Sequence, residues 1–153
     1  MKLDYEQNNF IGEVVAIHAS HAKGVTPRLI EEGIFKEDYG LIGDKHSSSI
    51  DRQVSILAAE SRSEIDSIKI DGFCANRFYE NLTIKDLDTS KLTIGQEFII
   101  GSVIFKITGL GKRCFPECNI VKRFGECSLK HGVVFAKVIK EGIVKVGDNL
   151  YLL

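Results

Sequence analysis

Hydrophobic and polar positions change rhythm several times along the chain. Residues 11–18, IGEVVAIH, are rich in β-branched side chains and predict a strand. Residues 19–27 form a polar loop, and residues 28–34 could be a second short strand. A loop over 35–53 follows, long enough to suggest a functional role. Residues 54–70 place Ile56, Leu57, Ala59, Ile65 and Ile68 at a patchy helical spacing. That spacing predicts a helix over 55–68 with Ser55 as its cap. Residues 73–82 have no clear period and read as irregular.

From there the pattern becomes β-rich. Residues 96–100, 103–108, 134–139 and 149–153 are short β-prone runs punctuated by Gly95, Gly101, Gly109 and Gly142. FIIGSVIFKI reads as strand, Gly-Ser turn and strand, a hairpin pattern. FAKVIKEGIVKVGDNLYLL reads as a second hairpin turning at Glu141-Gly142. The expected fold class is mainly β, a β-barrel with one or two flanking helices.

Length and composition bound this picture. The chain has 153 residues, which suits one domain spanning 1–153. It is 44% hydrophobic and 27% charged, which supports a packed core and excludes a disordered or low-complexity chain. No apolar run is long enough to span a membrane as a helix, and MKLDYEQNNF lacks a signal-peptide pattern, so a cytoplasmic location is expected. The net charge of −1 gives no global attraction to nucleic acid.

The four cysteines change the picture most. In a reducing cytoplasm a disulfide framework is not expected. Cys114, Cys118 and Cys127 lie within 14 residues, flanked by Lys112, Arg113, Lys122 and Arg123. Cationic neighbours favour thiolate, the form required of a sulfur carrier, a nucleophile or a soft-metal ligand. The same cysteines could instead be small buried hydrophobes. A third reading takes Cys114, Cys118, Cys127 and His131 as zinc ligands, although no paired C-x2-C is present. Cys74 lies apart and reads as a core residue.

Two further groups could carry chemistry. Gly43-Asp44-Lys45-His46, with Asp51, Arg52 and Gln53 close behind, could bind phosphate or carboxylate. It could equally be a solvated loop, the reading its charges favour by themselves. Glu80-Asn81, after Arg77, could cap a turn or orient a catalytic loop. His18 and His21 read as ordinary surface or strand-end residues.

Taken in order, GLIGDKH, RQVSIL, ENLT, LTIGQEFIIGSVIFKITGLGKRC and GVVFAKVIKEGIVKVGDNL resemble the MOSC domain, the module named for the C-terminal region of molybdenum cofactor sulfurases. The resemblance runs from about residue 11 to the end and is closest to short stand-alone bacterial members with a Gly-Lys-x-Cys segment. It implies the MOSC barrel, which is like that of pyruvate kinase. It also implies a role in handling activated sulfur or the molybdenum cofactor (molybdopterin). A family cysteine carries sulfur as a persulfide, or ligates molybdenum in the oxidoreductase members. Pyridoxal phosphate belongs to the desulfurase domain of fused relatives and is not expected here, since no lysine sits in an identifiable Schiff-base setting.

The resemblance also distributes roles. Cys118, followed by Asn119-Ile120, matches the Cys-x-hydrophobic step of the sulfurases, while Cys114 follows basic residues as in other members. Cys118 is the preferred carrier, with Cys114 or Cys127 as resolving partner. The three-residue spacer between Cys114 and Cys118 departs from the family's two, and SLKHG departs from the Met-Pro version after Cys127. Asp44, His46, Arg52, Glu80 and Asn81 fall on family motif positions as pocket residues, and Lys45, Lys112 and Arg113 would hold thiolate and pterin phosphate. The implied partners are a cysteine desulfurase and molybdenum cofactor biosynthesis proteins or molybdoenzymes, with neither nucleic acid nor membrane.

Overall fold

A computed structural model describes residues 9–22, 25–44, 52–68, 78–111 and 116–153. The strands are β1 (Phe10–Ala19), β2 (Arg28–Ile30), β3 (Glu32–Lys36), β4 (Gly40–Leu41), β5 (Val54–Ala58) and β6 (Leu82–Lys85). They continue as β7 (Glu97–Ile100), β8 (Val103–Leu110), β9 (Val133–Lys140), β10 (Gly142–Lys145) and β11 (Asn149–Leu152). The helices are α1 (Ala59–Ser67), α2 (Asn119–Phe124) and α3 (Leu129–Gly132), with a 3-10 turn at Thr89–Lys91.

Seven strands close a barrel in the order β1-β11-β7-β8-β9-β5-β6 and back to β1. All pairings are antiparallel except β5 with β6. Closure removes exposed strand edges. β2 lies against the far end of β1, and β10-β3-β4 form a separate three-stranded sheet. That sheet turns Phe35, Leu41 and Val144 inward onto the barrel core, where Phe35 meets Phe105 edge to face at 5.4 Å. Phe105 in turn stacks on Phe98 at 5.1 Å.

Period-2 alternation explains two separate cores. On β9, Val134, Ala136 and Val138 point into the barrel, while Val133 and Phe135 point outward into a second cluster. On β5, Val54, Ile56 and Ala58 point inward and Leu57 outward. The second cluster adds Ile65 of α1, Ile120 of α2, Leu129 of α3, and Cys118 and Cys127. The helices therefore roof one outer face of the barrel.

The barrel, the 11–18 strand and the β7–β8 hairpin agree with the sequence pattern. The hairpin turns at Gly101, whose φ of +58° suits glycine and where a Cβ would stand 2.5 Å from the Ile143 carbonyl oxygen. Three expectations differ. Residues 54–58 are strand, and the helix begins only at Ala59. VSILA is apolar at nearly every position because both faces of β5 are covered, and this imitates a helical run. The second expected hairpin does not form: β9 has both edges taken by β5 and β8, so β10 leaves Glu141-Gly142 to pair with β3. Finally, the long loop contains strand β4 and the end of β3, and the irregular stretch ends in strand β6, whose start at Leu82 pairs with both β1 and β5.

Candidate functional site

Asp44, Asn81 and Ser55 meet where β1, β5 and β6 come together. The Asp44 side chain is buried, and its two oxygens accept from the Ser20 backbone N–H at 2.9 Å and the Asn81 amide at 3.1 Å. Asn81 also donates to the His18 carbonyl at 3.3 Å and accepts from the Ser55 backbone N–H at 3.0 Å. Its own backbone N–H donates to the Ser55 carbonyl at 2.9 Å, and the His18 N–H donates to its carbonyl at 2.8 Å. Asn81 thus continues a sheet ladder just before β6 and ties it to the loop after β4. Asp44 thereby fixes the described end of the loop after β4.

Glu80 faces a second group. Its carboxylate, 0% exposed, takes the Arg62 guanidinium at 2.6 Å and the Thr83 hydroxyl at 2.6 Å. Arg62 also donates to the Phe78 carbonyl at 2.8 Å and reaches Asp66, one turn along α1, at 3.4 Å. Burial works against the Arg62 charge, but its hydrogen bond and ion pair with Glu80 outweigh that, and the net shift of its pKa is upward. His18 sits between the two groups on β1. Its Nδ1 is buried and has no hydrogen-bond partner. Burial lowers its pKa below the ordinary 6.5, Glu80 opposes that shift, and Arg62 adds to it.

Cys118 immediately precedes α2 in extended conformation, and Cys127 follows that helix. Both are buried in the second cluster, at 7% and 6% exposure. Phe135 of the same cluster carries the Arg52 guanidinium over its ring at 4.6 Å, and Arg52 itself is exposed. The neighbouring Gln53 is buried and accepts from the Val138 N–H at 3.0 Å.

The expected site residues therefore fall into two described groups. On the polar side, Asp44 and Asn81 share one set of hydrogen bonds and Glu80, with Arg62 and Thr83, forms the set beside it; on the apolar side, Cys118, Cys127 and Arg52 border the second cluster. Lys45, His46, Asp51, Cys74, Arg77, Lys112, Arg113 and Cys114 lie outside the described residues. Of the alternative zinc set, Cys118, Cys127 and His131 do not gather: among the described residues no three His, Cys, Asp or Glu side chains form a metal-binding group. His131 instead lies 3.0 Å from Glu126 on the surface. Sequence reasoning missed Ser20, Ser55, Arg62 and Thr83, whose partners are 3 to 26 positions away in the chain. It also passed over His18, which carries no local pattern to mark it.

The barrel closed by β1 and β11, with helices over one face, defines a class of β-barrel domain. The MOSC domain model matches residues 43–151, beginning one residue before Asp44, and the chain belongs to the MOSC domain family. Three solved structures share its fold. The YUAD protein from Bacillus subtilis superposes with a TM-score of 0.66 at 16% identity, over 92% of this chain and 94% of that one. YiiM from Escherichia coli gives 0.58 at 19% identity, over 95% and 69%. YiiM from Geobacillus stearothermophilus gives 0.57 at 16% identity, over 95% and 74%. No curated protein matches the sequence. The family is generally linked to molybdenum cofactor sulfurase-like function. Among the described residues, no helix is long and apolar enough to cross a membrane.

Proposed function

We propose that this protein, a single domain acting in the reducing cytoplasm, carries activated sulfur on Cys118 for molybdenum cofactor metabolism. The observation that supports this most is the place of Cys118. It stands at the start of a short helix, in an apolar cluster whose Phe135 carries the exposed guanidinium of Arg52. A persulfide is lost readily to passing thiols, and a buried position shields it. Arg52 stands over a ring of the same cluster, and Lys112 and Arg113 precede Cys118 in the sequence, cations of the kind that offset the cost of burying a thiolate.

The Cys118 thiolate attacks the terminal sulfur of a persulfide on a cysteine desulfurase. The donor's S–S bond breaks, its cysteine leaves as thiolate, and a new S–S bond forms on Cys118 with no net oxidation. For release, the thiolate of Cys114 or Cys127 attacks the Sγ of Cys118 and expels the terminal sulfur as hydrosulfide. Two cysteines become a disulfide while the sulfane sulfur gains two electrons, and a dithiol reductant resets the pair.

The molybdenum cofactor enters as the acceptor of that hydrosulfide. Arg52 is an exposed cation suited to a phosphate contact, whereas the buried polar groups of Asp44, Glu80 and Asn81 are engaged within the protein. These three act by fixing the backbone of the described strands and loop around them rather than by touching pterin.

Intact-mass measurement after incubation with a cysteine desulfurase and cysteine tests the reading. One added sulfur, removable by dithiothreitol and absent from Cys118→Ala, is expected. Loading that survives in Cys118→Ala and in Cys114→Ala alike rejects a carrier in this loop. Mapping the sulfur to Cys114 alone moves the role there.

A further inference from the structure

The outer face of the β10-β3-β4 sheet carries a pattern that the sulfur chemistry does not use. β3 and β10 are antiparallel, with Glu32 opposite Lys145 and Ile34 opposite Ile143. One step further along, Gly142 opposes Phe35, which brings Glu141 beside Lys36. Side chains alternate between faces along a strand. Phe35 and Val144 therefore turn to the barrel, while Glu32, Ile34, Lys36, Glu141, Ile143 and Lys145 are all exposed. The two isoleucines retain 50% and 42% of their surface. The face thus has a central apolar pair, an acid and a base at one end, and the same two charges with strands reversed at the other. None of these four charged side chains forms an ion pair among the described residues.

We propose that this face is a homodimer contact, and that its occupant is the same face of a second copy. A two-fold axis lying between the sheets, parallel to the strands, sets each β3 over the partner's β10 at the same height. Glu32 then meets Lys145 of the other copy, Ile34 meets Ile143, and Lys36 meets Glu141. By symmetry each contact occurs twice, as an isologous interface requires. Sheets packed face to face lie about 10 Å apart and roughly aligned, within reach of Glu and Lys side chains. A patch of two short strands is at the small end of specific interfaces, so the dimer is a transient, concentration-dependent one.

The charges allow a test in which each variant serves as the control for the other. Lys145→Glu sets Glu32 against a glutamate in its own homodimer, and Glu32→Lys sets Lys145 against a lysine. Mixing the two restores opposite charges at both positions. Sedimentation velocity from micromolar to near-millimolar protein, under reducing conditions, should show self-association of the natural protein. It should show association weakened by roughly tenfold or more in each variant alone, the direction expected of like-charge juxtaposition. Association should recover in the equimolar mixture. Circular dichroism and unfolding midpoints verify that each variant is folded. A natural protein that stays monomeric throughout, variants that self-associate like it, or a mixture that fails to associate would each overturn the proposal.

Discussion

The region around Asn81 and the region around Cys118 are both buried, and they are built on opposite principles. Around Asn81, polar groups are matched: a carboxylate, an amide, a hydroxyl and several backbone groups satisfy one another across β1, β5 and β6. Around Cys118 the cluster is built from Leu57, Ile65, Ile120 and Leu129, and a guanidinium lies over the ring of Phe135 in the same cluster. A matched polar network loses much when one member is removed, because the remaining groups stay buried. An apolar cluster with a small sulfur side chain tolerates exchange at that position. The first region should therefore reveal itself through stability and the second through chemistry.

The largest effect should come from Arg62→Met. It leaves the Glu80 carboxylate, 0% exposed, with Thr83 as its remaining side-chain partner. Breaking a buried ion pair in this way costs about 3–5 kcal/mol, read from the shift in urea midpoint. A loss below about 1 kcal/mol, the range of an exposed pair, would mean that the network is not matched as described. Asn81→Ala comes next. It removes a partner from Asp44, from the Ser55 N–H and from the His18 carbonyl. With each orphaned group worth about 1–3 kcal/mol and water able to recover part, the expected cost is about 3 kcal/mol. Neither variant should change the persulfide chemistry of whatever protein remains folded.

Cys118→Ala should show the reverse. Removing one sulfur atom from an apolar cluster costs about 1–2 kcal/mol, while sulfur loading should vanish. A variant that loses stability as Asn81→Ala does, yet still loads sulfur, would erase the contrast between the two regions.

The same contrast explains what was legible in advance. The strand at 11–18 follows from its β-branched run, and the β7–β8 hairpin from its Gly-Ser turn, because those signals are local. Strand β5 was hidden because burial on both faces erases alternation, and β10 because its partner β3 lies over 100 residues away in the chain. The cysteine cluster was visible from spacing alone. Asp44, Glu80 and Asn81 could be singled out as residue types, but not as a network. Their partners Ser20, Arg62 and Ser55 are brought to them by closure of the barrel, and nothing in the local pattern marks them.

The smallest expected effect concerns His18, which lies beside the matched region but keeps an unmatched atom. Its Nδ1 is buried without a partner, and burial, with Arg62 assisting and Glu80 opposing, lowers its pKa below 6.5. A group that binds its proton less readily when folded favours unfolding once protons become available. Its neutral form is fully compatible with the fold above pH 6.5, the unfolded value, and that contribution is lost as pH falls from there through the lower folded value. The expected outcome is a fall in unfolding midpoint on acidification in this window, reduced in His18→Asn, which cannot be protonated there. Glu80 and Arg62 are the charged groups acting on the ring, so Arg62→Met should raise the His18 pKa and narrow the window. Histidine chemical shifts followed by NMR titration read that pKa directly. A His18 titration at or above 6.5 in the natural protein would show that the orphaned nitrogen finds a partner in solution, and the boundary of the matched region would then extend to include it.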